Sequence, residues 1–147
     1  MKARTSPALV GLMLCAFLVS AQETRTERVQ FHRGETGATV KGHIKGYEDV
    51  HYLLGAKAGQ SMVVNLSTDN NANYFNIFAP GKKPGEDEAM FIGSTEGNHY
   101  EGELTADGDY LVQVYLMRSA ARRDEVANYT LEVGISGSAD SGGVSMD

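Results

Sequence analysis

The 147-residue sequence predicts an all-β fold, a single antiparallel β-sandwich or jelly-roll of about eight strands. Three observations lead there. Most segments alternate apolar and polar residues with a period of two, the spacing that turns one face of a strand toward a core. Breaks rich in glycine, asparagine and aspartate separate those segments at short intervals, as turns between antiparallel strands require. Beyond residue 21 no stretch keeps a helical apolar period for more than a turn or two, which argues against bundles and doubly wound sheets. The chain has no tryptophan and a single cysteine, Cys15. The hallmarks of an immunoglobulin core are therefore missing, and a simpler sandwich is favoured.

The first element is not part of that fold. Lys2 and Arg4 precede an apolar run from Ala8 to Val19, followed by small residues ending at Ala21. This is the pattern of a secretory signal peptide cleaved after Ala21, the alternative being an uncleaved anchor. Cys15 lies inside that run, behind bulky Leu12-Met13-Leu14, so it does not read as a lipidation site. The expected mature chain lacks cysteine, which excludes a disulfide framework, thiol catalysis and cysteine-ligated zinc.

Two short strands are expected around Val29 with Phe31 and Val40 with Ile44. In V-H-Y-L-L-G-A-K, residues Val50, Tyr52, Leu54 and Ala56 share one face; Met62, Val64 and Leu66 do so in the next strand. A polar break, T-D-N-N-A-N, leads to Y-F-N-I-F-A, which Pro80 and Gly81 close. A short apolar run follows at Met90 to Ile92. Ala106-Asp107-Gly108-Asp109 is a turn that launches a strand with Tyr110, Val112, Val114 and Leu116 inward. The last strand alternates Tyr129, Leu131 and Val133 against Asn128, Thr130 and Glu132. From Ser136 the chain loses its apolar pattern and reads as a disordered tail over 136–147. One sandwich domain is expected over 22–135.

Removing the signal leaves 11 basic against 19 acidic residues. A surface this acidic is unsuited to nucleic acid, which needs a basic face, and nothing after residue 21 suggests a membrane. Enzymatic chemistry finds no support. His32, His43, His51 and His99 stand at no metal-ligand spacing and read as exposed polar residues. Asp69, Asn71 and Asn73 imitate the start of a calcium loop without its glycine or closing glutamate; a turn is the simpler reading, as a solvated loop is for Glu86-Asp87-Glu88. No nucleophile elbow, zinc-protease or phosphate-loop motif occurs, so neither a catalytic residue nor a cofactor is expected.

The connection 118–126 is the exception to this plainness. It holds Arg118, Arg122 and Arg123 between the two strongest strands, and its nine residues exceed the two to five that a hairpin takes. Long surface connections often carry binding, and arginine presents a fixed fork of donors suited to carboxylates. Ser119 is placed to cap a turn of helix over Ala120 to Arg123, with Asp124 and Glu125 balancing part of the charge. A solvated, internally paired loop is the plain alternative.

Residues 41–66, the stretch Y-F-N-I-F-A-P-G and the closing strand pair with its R-S-A-A-R-R connection together resemble the periplasmic inhibitors of g-type (goose-type) lysozyme of Gram-negative bacteria. The likeness spans about residues 27–135. The order of G-x-I-x-G, A-x-x-G-Q, Y-F-x-I and Y-x-L also resembles the wider class of pre-peptidase C-terminal sandwich domains, which share a frame without sharing a function. Val114, Arg118, Ala121 and Arg122 match the inhibitors' arginine connection. Gly42 and Tyr47 are the nearest counterparts of the short glycine–tyrosine loop that other lysozyme inhibitors insert into the enzyme, although Lys41 replaces the serine and the spacing is longer. The resemblance implies a periplasmic protein that occludes the acidic cleft of g-type lysozyme, with Arg118 and Arg122 foremost and Arg123, Tyr47 and Gly42 behind them. It implies no cofactor. The second reading is a non-catalytic accessory module that binds cell-wall glycan or calcium.

Overall fold

A computed structural model describes residues 23–33 and 35–137. The expected signal over 1–21 lies outside the described residues, as does the tail beyond Gly137. Nine strands and two short helices are present in that span: β1 (Thr24–Arg28), β2 (Gly37–Lys45), β3 (Asp49–Ala56), β4 (Ser61–Thr68), β5 (Asn73–Phe78), β6 (Phe91–Ile92), α1 (Gly93–Glu96), β7 (His99–Glu103), β8 (Gly108–Leu116), α2 (Arg118–Arg122) and β9 (Val126–Ser136). They form two sheets, ordered β1-β3-β8-β5-β6 and β2-β9-β4-β7. The pairs are antiparallel except β1 with β3, which run parallel.

The alternation does what its period requires. Val50, Tyr52, Leu54, Met62, Val64, Tyr110, Val112, Val114, Leu131 and Val133 are all buried between the sheets, because period two sends one face of each strand away from water. Two edge strands depart from expectation. The expected strand at Val29 and Phe31 lies upstream, at β1, whose T-R-T-E-R residues are all exposed. β7, H-Y-E-G-E, was not expected at all; it edges the other sheet and buries no residue fully. An edge strand held by backbone bonds needs no apolar face, so periodicity does not reveal it.

Successive strands repeatedly change sheets. The passages β2 to β3, β4 to β5, β6 to β7 and β8 to β9 each cross from one sheet to the other. Register brings these four crossings to one pole, since Lys45 pairs with Val126, Thr68 with Tyr129, Asn73 with Leu116 and His99 with Asn65; the other three, β1 to β2, β3 to β4 and β7 to β8, lie at the opposite end. The connection after β8 is therefore an arch between sheets rather than an overlong hairpin, which accounts for its length.

Gly42 lies within β2 directly opposite Tyr129 on the core-facing side. A Cβ there would come within 2.6 Å of the Tyr129 hydroxyl oxygen. That hydroxyl cannot swing aside freely, because it lies 2.6 Å from the Tyr52 hydroxyl in a buried hydrogen bond. Burial, followed by the neighbouring Tyr52 hydroxyl, pushes the Tyr129 phenol upward in pKa, so it stays protonated. Gly42→Ala is expected to lower stability by about 1–3 kcal/mol, the cost of overpacking. Chemical denaturation measures this, and inhibition by the folded fraction should be unchanged if Gly42 only makes room for Tyr129.

Candidate functional site

At the crossing pole the arginine connection is built from the inside out. Ala120 and Ala121 are buried, while Arg118, Ser119, Arg122 and Arg123 are exposed. Two small side chains thus seat α2 against the sandwich end and turn the arginines outward. The helix starts at Arg118, after Met117, and has no side-chain cap; the expected Ser119 cap does not form, because Ser119 is already inside the first turn. The helix ends where Asp124 adopts a positive φ of 53°, a conformation that aspartate tolerates better than most residues.

The turn between β2 and β3 packs directly on this arch. The Gly46 amide donates to the Glu125 carbonyl at 2.9 Å. Gly46 has a φ of +61°, and a Cβ on it would lie 3.0 Å from the Asp124 carboxylate, so a glycine is needed at this contact. Tyr47 stands next to it and remains 43% exposed. Two segments some seventy residues apart in sequence, 46–48 and 117–125, therefore meet on one surface. The β4 to β5 crossing holds them. Asn70 donates its side-chain amide to the Glu125 carboxylate and to the Val126 carbonyl. Asp69 accepts from both the backbone and side-chain amides of Asn128.

The three arginines are not equivalent. Arg123 pairs with Glu125, its Nε at 2.7 Å and an outer nitrogen at 2.6 Å from the same carboxylate oxygen, Oε2. The Asn70 and Arg123 donors in turn hold the Glu125 carboxyl below its ordinary pKa. Arg118 and Arg122 make no ion pair among the described residues. Of the residues singled out from the sequence, Arg118, Arg122 and Tyr47 share the exposed pole. Arg123 is there but internally satisfied, and Gly42 faces the sheet interior.

Two residues that sequence reasoning overlooked complete the surface. Met117 and Val126 are 38% and 46% exposed at the two feet of the arch. Both are apolar residues on the outward side of the chain, Met117 just after inward Leu116 at the end of β8 and Val126 just before inward Ala127 in β9, and that mismatch of phase was the available signal. Among the histidines, His51 departs from the expected exposed state: its ring lies 2.9 Å from the buried carboxylate of Asp49. The calcium-like stretch is a turn in which Asp69 is taken up by Asn128 and Asn73 is buried. Among the described residues no group of three or more histidine, cysteine or acidic side chains is arranged to hold a metal ion.

No family model matches the sequence. Individual proteins do. The chain is 45% identical to Aeromonas hydrophila PliG, described as a periplasmic lysozyme inhibitor of g-type lysozyme; the two structures share a TM-score of 0.73 over 79% of this chain and 100% of that one. A mutant of the Escherichia coli protein of the same description is 27% identical, with a TM-score of 0.58 over 78% of this chain and 99% of that one. The inhibitor of g-type lysozyme of Escherichia coli strain K12 is 28% identical over 127 residues, which covers 85% of this chain and 93% of that protein.

Proposed function

The chain belongs to the family of periplasmic inhibitors of g-type lysozyme, and on that premise we propose that it inhibits g-type lysozyme by seating its crossing pole in the enzyme's cleft. It is a binding protein of the periplasm, not an enzyme. Arg118 and Arg122 reach toward the carboxylates of the cleft, Tyr47 packs beside them, and Met117 and Val126 add apolar contact around the rim. The observation that carries this reading is that Arg118 and Arg122, which make no ion pair among the described residues, stand on a helix anchored by Ala120 and Ala121.

The physics of the interface supports it. A glycosidase cleft works with acidic side chains, and a protruding cation that shields them from water gains strength as water leaves. Arginines and tyrosine are also the residue types that dominate binding hot spots. Inhibition is by occlusion and needs no cofactor. The acidic remainder of the surface steers a basic lysozyme toward the pole and raises the association rate. A signal peptide over 1–21 accounts for delivery to the periplasm.

The test is cell-wall lysis by g-, c- and i-type lysozymes with the purified protein present. Protection from the g-type enzyme at micromolar inhibitor or below is the expected result. Undiminished lysis by the g-type enzyme at that concentration rules the reading out.

A further inference from the structure

Beyond residue 21 the sequence holds no cysteine and four methionines, Met62, Met90, Met117 and Met146. The thioether is therefore its oxidisable sulfur. The three methionines within the described residues stand in different environments. Met62 is fully buried in β4, while Met90 and Met117 are 40% and 38% exposed. Exposure decides which thioether meets an oxidant in the folded protein, so Met90 and Met117 are open to one and Met62 is not.

Met117 is the residue from which α2 starts. Its amide donates to the Ala72 carbonyl at 2.8 Å and its carbonyl accepts from the Ala121 amide at 2.9 Å. The backbone is thus fixed at the foot of the arch while the side chain stands at the surface, directly before Arg118. Met90 is elsewhere. Its amide donates to the carbonyl of Ile77, four residues along β5 from Asn73, which pairs with Leu116 at the pole. At about 3.3 Å per residue, that is about 13 Å along the strand. The two exposed thioethers therefore differ in place: one lies beside the arginines and the other well away from them.

We propose that Met117 is a reversible oxidation site that weakens inhibition, an inference that rests on the inhibitory reading of the crossing pole. The oxidant is hydrogen peroxide. A sulfur lone pair attacks one peroxide oxygen, the S–O bond forms and the O–O bond breaks. The sulfur gives up two electrons, the peroxide takes them, and its second oxygen leaves as water. An apolar thioether at the rim thereby becomes a sulfoxide, with a strong dipole and an acceptor oxygen. When the enzyme covers the pole, that oxygen loses its water, which costs binding where the thioether cost nothing. The backbone bonds of Met117 do not involve the sulfur, so the fold is retained. A methionine sulfoxide reductase with a dithiol donor reverses the step: the oxygen leaves as water and the dithiol becomes a disulfide. Oxidation of Met90, away from the pole, leaves inhibition as it was.

The experiment treats the full mature chain with hydrogen peroxide, removes the oxidant, maps the sulfoxides by peptide mass spectrometry and assays inhibition of g-type lysozyme beside melting curves. Conversion of Met117 should raise the inhibition constant by at least about fivefold, the cost of covering one unsatisfied polar group. The thermal midpoint should stay within a few degrees of the untreated protein, and reductase treatment should restore inhibition. Each variant is compared with itself before and after oxidation: Met117→Leu should show a ratio near one, and Met90→Leu the wild-type loss. Bound g-type lysozyme should slow oxidation of Met117 and leave that of Met90 as in the free protein. The wild-type ratio and the protection by lysozyme stand even if Met117→Leu folds poorly. Inhibition unchanged after full conversion of Met117, an equal loss in oxidised Met117→Leu, or equal oxidation of Met117 with and without lysozyme each overturns the proposal. Failure of the untreated protein to inhibit overturns the inhibitory reading and this inference with it, whereas inhibition that survives oxidation overturns this inference alone.

Discussion

Reversing both arginines, with Arg118→Glu and Arg122→Glu together, is expected to raise the inhibition constant against g-type lysozyme by at least about a hundredfold, more than 2.7 kcal/mol of binding. Each substitution removes a cation from the pole and sets a like charge against the acidic cleft, so attraction becomes repulsion at short range. Arg122→Ala alone should cost more than about tenfold, because it removes the attraction without adding repulsion. Arg123→Ala should change inhibition by less than about threefold, since its guanidinium already serves Glu125. Both Arg118 and Arg122 are exposed and unpaired among the described residues, so the thermal midpoint should stay within a few degrees of wild type. Inhibition constants from lysis rates, measured beside melting curves, decide the matter. A fully active double reversal would remove this pole from the interface.

The second large effect concerns stability and lies under Tyr47. Asp49 is 2% exposed, yet accepts from Thr24 Oγ1 at 2.6 Å, His51 Nε2 at 2.9 Å and Gln113 Nε2 at 2.9 Å. These partners sit on β1, β3 and β8, so one carboxylate fastens the parallel edge strand to the centre of its sheet. Asp49→Ala leaves three donors facing a void and should cost about 3–5 kcal/mol, the range for breaking a buried charged network from one side. Chemical denaturation measures the loss, and hydrogen exchange should locate it first in β1. A variant as stable as wild type would show that Thr24, His51 and Gln113 find water or other partners at no cost.

The same carboxylate sets a pH dependence. Burial alone would raise the Asp49 pKa, but the hydrogen bonds from His51, Thr24 and Gln113 outweigh it and the folded value lies below the ordinary one. A group depressed on folding contributes its full stability above the unfolded pKa, about 3.9, and loses it as pH falls through the lower folded value. Wild type should therefore lose stability below about pH 4, and the Asp49→Ala variant should lose less over that interval. Some acid sensitivity remains in the variant, because Asp69, Asp109 and Glu125 are also lowered by their hydrogen-bond partners.

Legibility varied with the kind of residue. The core was readable because burial of alternate residues is written along the chain, as in Val50 to Ala56 and Tyr110 to Leu116. β1 and β7 escaped because edge strands made of T-R-T-E-R and H-Y-E-G-E are held by backbone bonds that any side chain permits. His51 looked like an exposed histidine because its partner Asp49, two residues away on the same face, looked equally exposed until β1 and β8 covered it. The arginines were conspicuous by charge, and their family likeness separated Arg118 and Arg122 from Arg123. The contact that distinguishes them physically is Arg123 with Glu125; charge order let either acid balance any of the three arginines, and only the fold of the arch chose this pair.

By itself, then, the sequence determined the all-β sandwich, the inward face of the main strands and the presence of a cationic segment in an acidic protein. Each follows from local order, since strand period and charge are properties of neighbouring residues. Only the tertiary structure decided that four connections cross between sheets at one pole, that Tyr47 stands beside the arginine arch, and that Gly42 faces inward to admit Tyr129. These depend on which sheet each strand joins and in which register, and those pairings are chosen by long-range burial that no local pattern records.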